Sequence, residues 1–462
     1  MRDVFVTLLI LVPLLFTFTR PWLGVALYAF VSVGVPQKMT WGFALQMPFA
    51  QIVALVILLA WLFSQEPKRF PLHSLTVAML ALCVSMTVST SFALFPEGSW
   101  EKWGLIMKAM FMIFVSIAII QEKKHIEWLI AALVCTVGFY GVKGGLWTIM
   151  TGGGQRVYGP PGGFISENNH LALALVMTIP LMHYFYVRIE HPWAKRASLL
   201  AMILCVAAVL GSHSRGALLA VSAMGLMLWW QSKQKIVLLV AIVLLIPLLL
   251  SVMPEHWWAR MQTISTYQED SSAMSRLESW ETMFNIAKDR PWTGGGYRID
   301  TKWIYQIYAP NPDARAFVAH SIYFSMMGEH GFLGLAIFLI IGWLGFRTAG
   351  RITRLTASIP EWRWANDLAR MIKVSLVGFA VGGAFLNMAY FEMTYFLMVA
   401  LIAMDNLVKR ELPSWSSADV QLRAMESGKR RLSKDLQMLA MKNRLTQSDA
   451  DVRATASNGR IQ

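Results

Sequence analysis

The stretch PEHWWARMQTISTYQEDSSAMSRLESW at 254–280, with its return AHSIYFSMMGEHGFLGL at 319–335, decides the fold. It is the longest polar passage before the C-terminal tail, and apolar segments of membrane length lie on both sides of it. The chain of 462 residues is 56% hydrophobic and 15% charged, whereas a soluble domain carries roughly 25% charged residues. The expectation is an all-α polytopic membrane protein with one large, partly helical loop, 254–318, at a membrane surface. That loop carries Arg260, Arg276, Arg290, Arg298 and Arg315, and His320 stands where it returns to the apolar phase.

Working outward, apolar runs occur near 4–19, 22–35, 47–63, 75–94, 104–121, 126–150, 168–187, 197–211, 215–230, 236–253, 319–347, 370–389 and 393–408. A span needs about 20 apolar residues, fewer where the bilayer thins. About twelve crossings are expected, the first 35 residues forming either one broken span or two short ones. Val4–Phe18 lacks a small-residue cleavage site and reads as retained structure. Short basic connections at Lys68-Arg69, Lys123-Lys124, Arg188 with Lys195-Arg196, Lys233 with Lys235, Arg351 with Arg354, and Lys409-Arg410 mark a cytoplasmic face. The loops at 95–103, 151–167, 212–215, 254–318 and 390–392 then share the opposite, periplasmic face. Residues 1–408 form the membrane domain. The tail 409–462, with eleven Lys/Arg against six Asp/Glu, is expected to be cytoplasmic, helical near 418–445 and then disordered. The net charge of +14 sits in these loops and the tail, so it signals topology rather than nucleic-acid binding. Cys83, Cys135 and Cys205 lie in apolar runs with no metal or disulfide spacing.

Several polar residues are placed to do chemistry. His320 has the side chain best suited to accept a proton near neutral pH, or it is a hydrogen-bonded interfacial histidine. Arg215, in the short hinge Gly-Ser-His-Ser-Arg-Gly-Ala, holds a planar fork of donors at the membrane lip. That fork suits phosphate oxygens, or a carboxylate such as Glu329. Arg276 opens a helical pattern with Leu277, Trp280, Phe284 and Ala287 on one stripe, as in a helix lying on a membrane or over a cavity, ended by Pro291 and Gly294–Gly296. Glu329, nine residues after His320, reads as a structural counter-ion, with Gly328 and Gly331 as close-packing positions. Further substrate-binding candidates are Arg156 and Tyr158 in the glycine-rich loop, Lys143 beside Gly144-Gly145, Arg260 beside Trp257-Trp258, and Arg298. No HExxH or Cys/His cluster is present and no DxD pair lies in the external loops, so neither a metal nor another cofactor is expected.

Four stretches carry a family likeness: Ser-Arg-Gly-Ala at 214–217; Ser-Arg-Leu-Glu-Ser-Trp at 275–280 with Pro-Trp-Thr-Gly-Gly-Gly after it; Ala-His-Ser-Ile-Tyr through Gly-Glu-His-Gly-Phe-Leu-Gly-Leu at 319–335; and Gly-Pro-Pro-Gly-Gly-Phe-Ile-Ser-Glu-Asn-Asn at 159–169. In this order the chain resembles the O-antigen ligase / O-antigen polymerase superfamily, especially the O-glycosylation ligases that accompany exosortase systems. Ser321 stands where many members carry Asn. The resemblance implies a GT-C-like, metal-independent, inverting glycosyltransferase of the bacterial inner membrane, with its active site facing the periplasm. It implies an undecaprenyl-pyrophosphate-linked glycan as donor and lipid A–core, or a protein hydroxyl, as acceptor. Arg215 and Arg276 would grip the donor pyrophosphate, and His320 would act as base. Polymerase and protein O-oligosaccharyltransferase activities belong to the same superfamily. A lipid-linked glycan transporter would instead show internal repeats and mid-membrane charges.

Overall fold

Apolar chain with no water around it must satisfy its backbone internally, and here it does so as helices. The computed structural model describes residues 1–411 apart from 66–67, 69, 232–233, 237–238, 241–242, 245–253, 256, 259–270 and 314. Among the described residues every regular element is helical. In chain order these are α1 (Arg2–Leu15), α2 (Pro21–Gly34), α3 (Phe49–Phe63), α4 (Ser74–Ser91), α5 (Pro96–Ile119), α6 (Lys123–Met150) and α7 (Asn168–Tyr186). They continue with α8 (Pro192–Gly211), α9 (Arg215–Gln231), α10 (Ser271–Asp289), α11 (Lys302–Tyr308), α12 (Ile322–Thr356), α13 (Arg363–Gly383) and α14 (Glu392–Glu411). Arg260, most of the 236–253 run and the tail helix expected near 418–445 lie outside the described residues.

Five helices, α4, α5, α6, α8 and α12, are long and apolar enough to cross a membrane, and α2 and α3 are shorter apolar helices. The protein is therefore a helical membrane protein. Helices α2, α5 and α8 begin on a proline, whose fixed φ suits the first helical position and whose missing N–H has no partner to lose. At the centre stands α14, buried without interruption from Met393 to Asp405. Such all-round burial is what an all-round apolar helix requires. Where α6 crosses α8, a Cβ on Gly145 would lie 2.1 Å from the Leu204 carbonyl oxygen, so only glycine permits the contact.

The first 35 residues form two short helices rather than one broken one. The Asp3 carboxylate, at the start of α1, accepts the backbone N–H groups of Gly42 at 2.9 Å and Ala44 at 3.1 Å, beyond the end of α2. Helices α1 and α2 therefore run antiparallel about the turn Phe16–Phe18.

Hydrogen bonds between sequence-distant segments define two ends of the bundle. At one, Leu94 donates to Gly295, Val157 to Gly211, Asn168 to Ser212, and Trp257 to Leu210. At the other, Arg351 and His73 meet Asp405, and Arg188 meets Asp367.

Two sequence expectations need correction. The apolar run 319–347 is not one span from its first residue: α12 starts at Ile322 and breaks at Gly331, which has φ +69° and ψ −174°. The 291–296 turn docks on that break. Phe332 donates to the Pro291 carbonyl, Gly295 to Gly328, and Gly296 to Glu329. The buried face of α10 also coincides with only part of the expected apolar stripe, of which Ala287 is buried and Trp280 half-buried. Ser279, Thr282, Met283, Ile286 and Ala287 are buried, while Leu277 and Phe284 are exposed. Small hydroxyl residues let α10 approach α12, where a Cβ on Gly328 would meet Met283 Sδ at 2.4 Å. Leu277 and Phe284 are left facing outward.

At Gly331 an added Cβ would sit 2.4 Å from the Pro291 carbonyl oxygen as well as forcing a positive φ on a non-glycine residue. Gly331→Ala is expected to destabilise the detergent-solubilised protein by about 2–3 kcal/mol. Gly342→Ala, with nothing within 4 Å, should be neutral or slightly stabilising. Thermal unfolding of both variants checks this.

Candidate functional site

His320 has a left-handed backbone, φ +46°, which is uncommon for a residue with a Cβ. Its neighbours hold it there. The Ala319 carbonyl accepts the Trp280 indole N–H at 2.7 Å. Ser321 is the N-cap of α12, its hydroxyl accepting the Phe324 N–H. Serine and asparagine cap helices about equally well, so the Ser321 departure from the common Asn preserves this role. Before the histidine, the Tyr305 hydroxyl of α11 donates to the Phe317 carbonyl and accepts from the Ser279 hydroxyl of α10, and Asn285 of α10 donates to the Tyr308 carbonyl. These bonds tie the returning segment to α10.

Trp280 joins the parts. Its ring stacks on Phe324 of α12 at 4.8 Å and lies 6.4 Å from Phe385, just after α13. Phe385 in turn abuts Gly216, whose Cβ would lie 3.1 Å from Phe385 Cβ. Arg215, the residue before Gly216, thus starts α9 beside the same aromatic group. Arg276 stands one helical turn before Trp280 and close enough to influence His320 electrostatically. Both arginines are half-buried and engaged in contacts.

The hinge that delivers Arg215 is tightly held. His213, at φ +56°, has Nε2 2.9 Å from the Gly153 carbonyl oxygen. Asn168 donates to the Ser212 carbonyl at 2.7 Å, and the Ser214 hydroxyl accepts the Ala217 N–H at 3.2 Å. These bonds knit the glycine-rich loop, the start of α7 and the start of α9 together.

Burial first, and the Arg276 guanidinium second, hold the His320 imidazole below its ordinary pKa. His170 adds to the effect and Glu167 partly opposes it. A neutral imidazole in this setting keeps a lone pair free to accept a proton at neutral pH. Glu167 and His170, 3.9 Å apart across the start of α7, are members of the site that the sequence did not single out. The glycine-rich motif that ends in them was the available signal, but a loop boundary gives no distance to a residue 150 positions later.

The remaining candidates have the following surroundings. Arg156 and Tyr158 are exposed on either side of Val157, which is pinned to Gly211. Lys143 is exposed on α6. Arg298 pairs with Glu101 at 3.3 Å and is not shown near His320. Glu329 is a counter-ion of Lys102, at 2.7 Å. Lys102 was not singled out in the sequence. Tyr390 donates to the same carboxylate. His330, fully buried, places Nε2 2.7 Å from the Tyr390 hydroxyl and Nδ1 2.9 Å from the Ser89 hydroxyl. This polar cluster, flanked by the Tyr297 ring, braces the short helix that His320 precedes. Among the described residues no group of His, Cys, Asp and Glu has metal-binding geometry.

Residues 200–339 match the family model described as O-antigen ligase, and residues 1–190 match a family of unknown function, DUF5935. No curated protein matches the chain.

Removing the carboxylate of Glu329 leaves the Lys102 ammonium and the Tyr390 hydroxyl without their acceptor. Glu329→Ala is expected to lower stability by ~3 kcal/mol, read as a fall in unfolding temperature, with Glu329→Gln costing less because it still accepts from Tyr390. The His320 pKa is lowered, and a base role for it would require the neutral form. Activity should therefore persist through pH 6.5 and fall only at lower pH. Arg276→Gln should move that acid limb upward in a pH–rate profile.

Proposed function

We propose that this protein, which carries a domain of the O-antigen ligase family over residues 200–339, transfers a glycan from undecaprenyl pyrophosphate to a hydroxyl of lipid A–core. The observation supporting this most directly is the convergence of Arg276, the Arg215 hinge and a neutral, half-buried His320 around Trp280 at one end of the helical bundle. In this reading that end faces the periplasm, the bundle makes about twelve crossings in a GT-C-like arrangement, and the donor's lipid tail stays in the bilayer.

The chemistry requires few groups. The acceptor oxygen attacks the anomeric carbon as the bond from that carbon to the pyrophosphate oxygen breaks, and the configuration inverts. His320 takes the proton from the acceptor hydroxyl. The electron pair leaves with the pyrophosphate, whose growing charge Arg215 and Arg276 neutralise through paired N–H donors. Two guanidinium groups provide this stabilisation without a divalent ion. The buried setting strengthens each interaction, because water competes less for the donors. Glu167, near His320, is placed to stabilise the imidazolium once it forms.

The test is glycan transfer in membranes supplied with donor and acceptor lipids. His320→Ala should lower the rate by 10²-fold or more, with insertion and folding intact. Arg215→Lys should also fail, since a point charge does not replace a bidentate fork. Chelation with EDTA should leave the rate unchanged. Full activity of His320→Ala would remove the base from the scheme, and loss of activity in EDTA would replace it with a metal-dependent one.

A further inference from the structure

At the end of the bundle opposite His320, a cavity of about 300 Å³ is lined by Ser74, Leu344, Arg347, Thr348, Arg351 and Arg354. Three arginines within eight residues of one helix share this space, and their charges are not equally compensated. Arg351 is bidentate on Asp405, with Nε 2.9 Å from Oδ1 and Nη2 2.7 Å from Oδ2. Asp405 also takes Lys409 at 2.7 Å and His73 at 3.2 Å, so its single negative charge is already shared among three partners. Among the described residues, no carboxylate lies within ion-pair distance of Arg347, Arg354 or Lys373.

Arg354 shares the cavity with Arg347 and lies within electrostatic reach of Lys373 on α13. The Arg347 guanidinium lies over the Trp343 ring at 5.0 Å. The Lys373 ammonium lies over the Phe346 ring at 4.0 Å and crosses α12 at Gly350. Arg354 stands close enough to repel it. Toward the middle of α12, Leu339, Ile340, Trp343 and Phe346 are exposed apolar side chains. Like charges held together at the edge of a low-dielectric phase are costly unless an anion joins them. Guanidinium forks match the oxygens of a phosphate, and basic pockets between membrane helices suit anionic lipid headgroups.

We propose that Arg347, Arg354 and Lys373 bind the phosphodiester headgroup of an anionic membrane lipid, whose acyl chains lie along the exposed apolar face of α12. The site is distinct from the His320 end of the bundle and independent of the reaction proposed there. The hydroxyl groups of Ser74 and Thr348 line the same cavity and suit the polar part of a glycerol-type headgroup.

The full-length protein purified in neutral detergent provides the test. Binding of phosphatidylglycerol, phosphatidylcholine and inorganic phosphate is measured by native mass spectrometry, with folding checked by gel filtration and thermal unfolding. Wild type should bind phosphatidylglycerol at least tenfold more tightly than phosphatidylcholine. Arg347→Gln combined with Arg354→Gln should abolish that preference. Lys373→Met alone should reduce it, which keeps the test available if the double variant does not fold. Arg363→Gln, at the same end but outside the cavity, should leave it unchanged. The proposal is overturned if phosphatidylglycerol shows no preference in wild type or if the arginine variants keep it. Inorganic phosphate that displaces the lipid at equal concentration would assign the site to a soluble anion and overturn the lipid reading.

Discussion

The break in α12 at Gly331 is the constraint on which the rest of the His320 end depends. A helix interrupted near the middle of an apolar segment strands its last carbonyl oxygens, and no water is on hand to take them. Here the 291–296 turn supplies the missing donors: Gly295 to Gly328 and Gly296 to Glu329, while Phe332 beyond the break donates to Pro291. Leu94 then donates to Gly295 and extends the pairing to the connection between α4 and α5. The same turn follows α10 directly, so the register of Arg276 against His320 is set by backbone bonds rather than by side-chain packing alone. Arg290 secures the turn from within, donating to the carbonyls of Gly294 and Phe92.

Behind this turn sits the cluster of Lys102, Glu329, Tyr390, His330 and Ser89. It lies below the surface at the His320 end and draws on α4, α5, α12 and the segment before α14. Each member has a partner, as buried polar groups must. It ties four elements to one another and to the short helix after His320. The geometry places the histidine that is adjacent to Glu329 inside the scaffold and leaves His320, nine residues earlier, half-buried at the loop.

Much of the helical layout was legible because an apolar run bounded by polar turns leaves little alternative in a membrane. Helices α8 and α9 fall close to the runs at 197–211 and 215–230, and α14 to the run at 393–408. What could not be read shares a physical cause. Hydropathy sees Gly331 as one more small residue inside an apolar run, yet its positive φ divides that run into two helices. Ser279 and Thr282 count as polar, yet they form the buried face of α10 because small side chains permit close approach. Of the candidate site, the residue types at 215, 276 and 320 were readable from short motifs. Their surroundings were not: Glu167 and His170 reach His320 only through tertiary folding, and Lys102 answers Glu329 from 227 residues away. Arg298 likewise meets Glu101 only across a long stretch of sequence.

The antiparallel pair α1 and α2 has a mechanical consequence for the surrounding lipid. Each helix has 14 residues and so rises only ~21 Å, against about 30 Å for a typical hydrocarbon layer. The outward side of α1 is nonetheless apolar, with Phe5, Leu8, Leu11, Val12 and Leu15 exposed. Were this pair to cross the bilayer as a hairpin, the acyl chains bordering this corner would have to shorten to match it. The resulting dimple would draw the two headgroup layers together locally and favour short or disordered chains at the rim, a lipid preference independent of any headgroup chemistry.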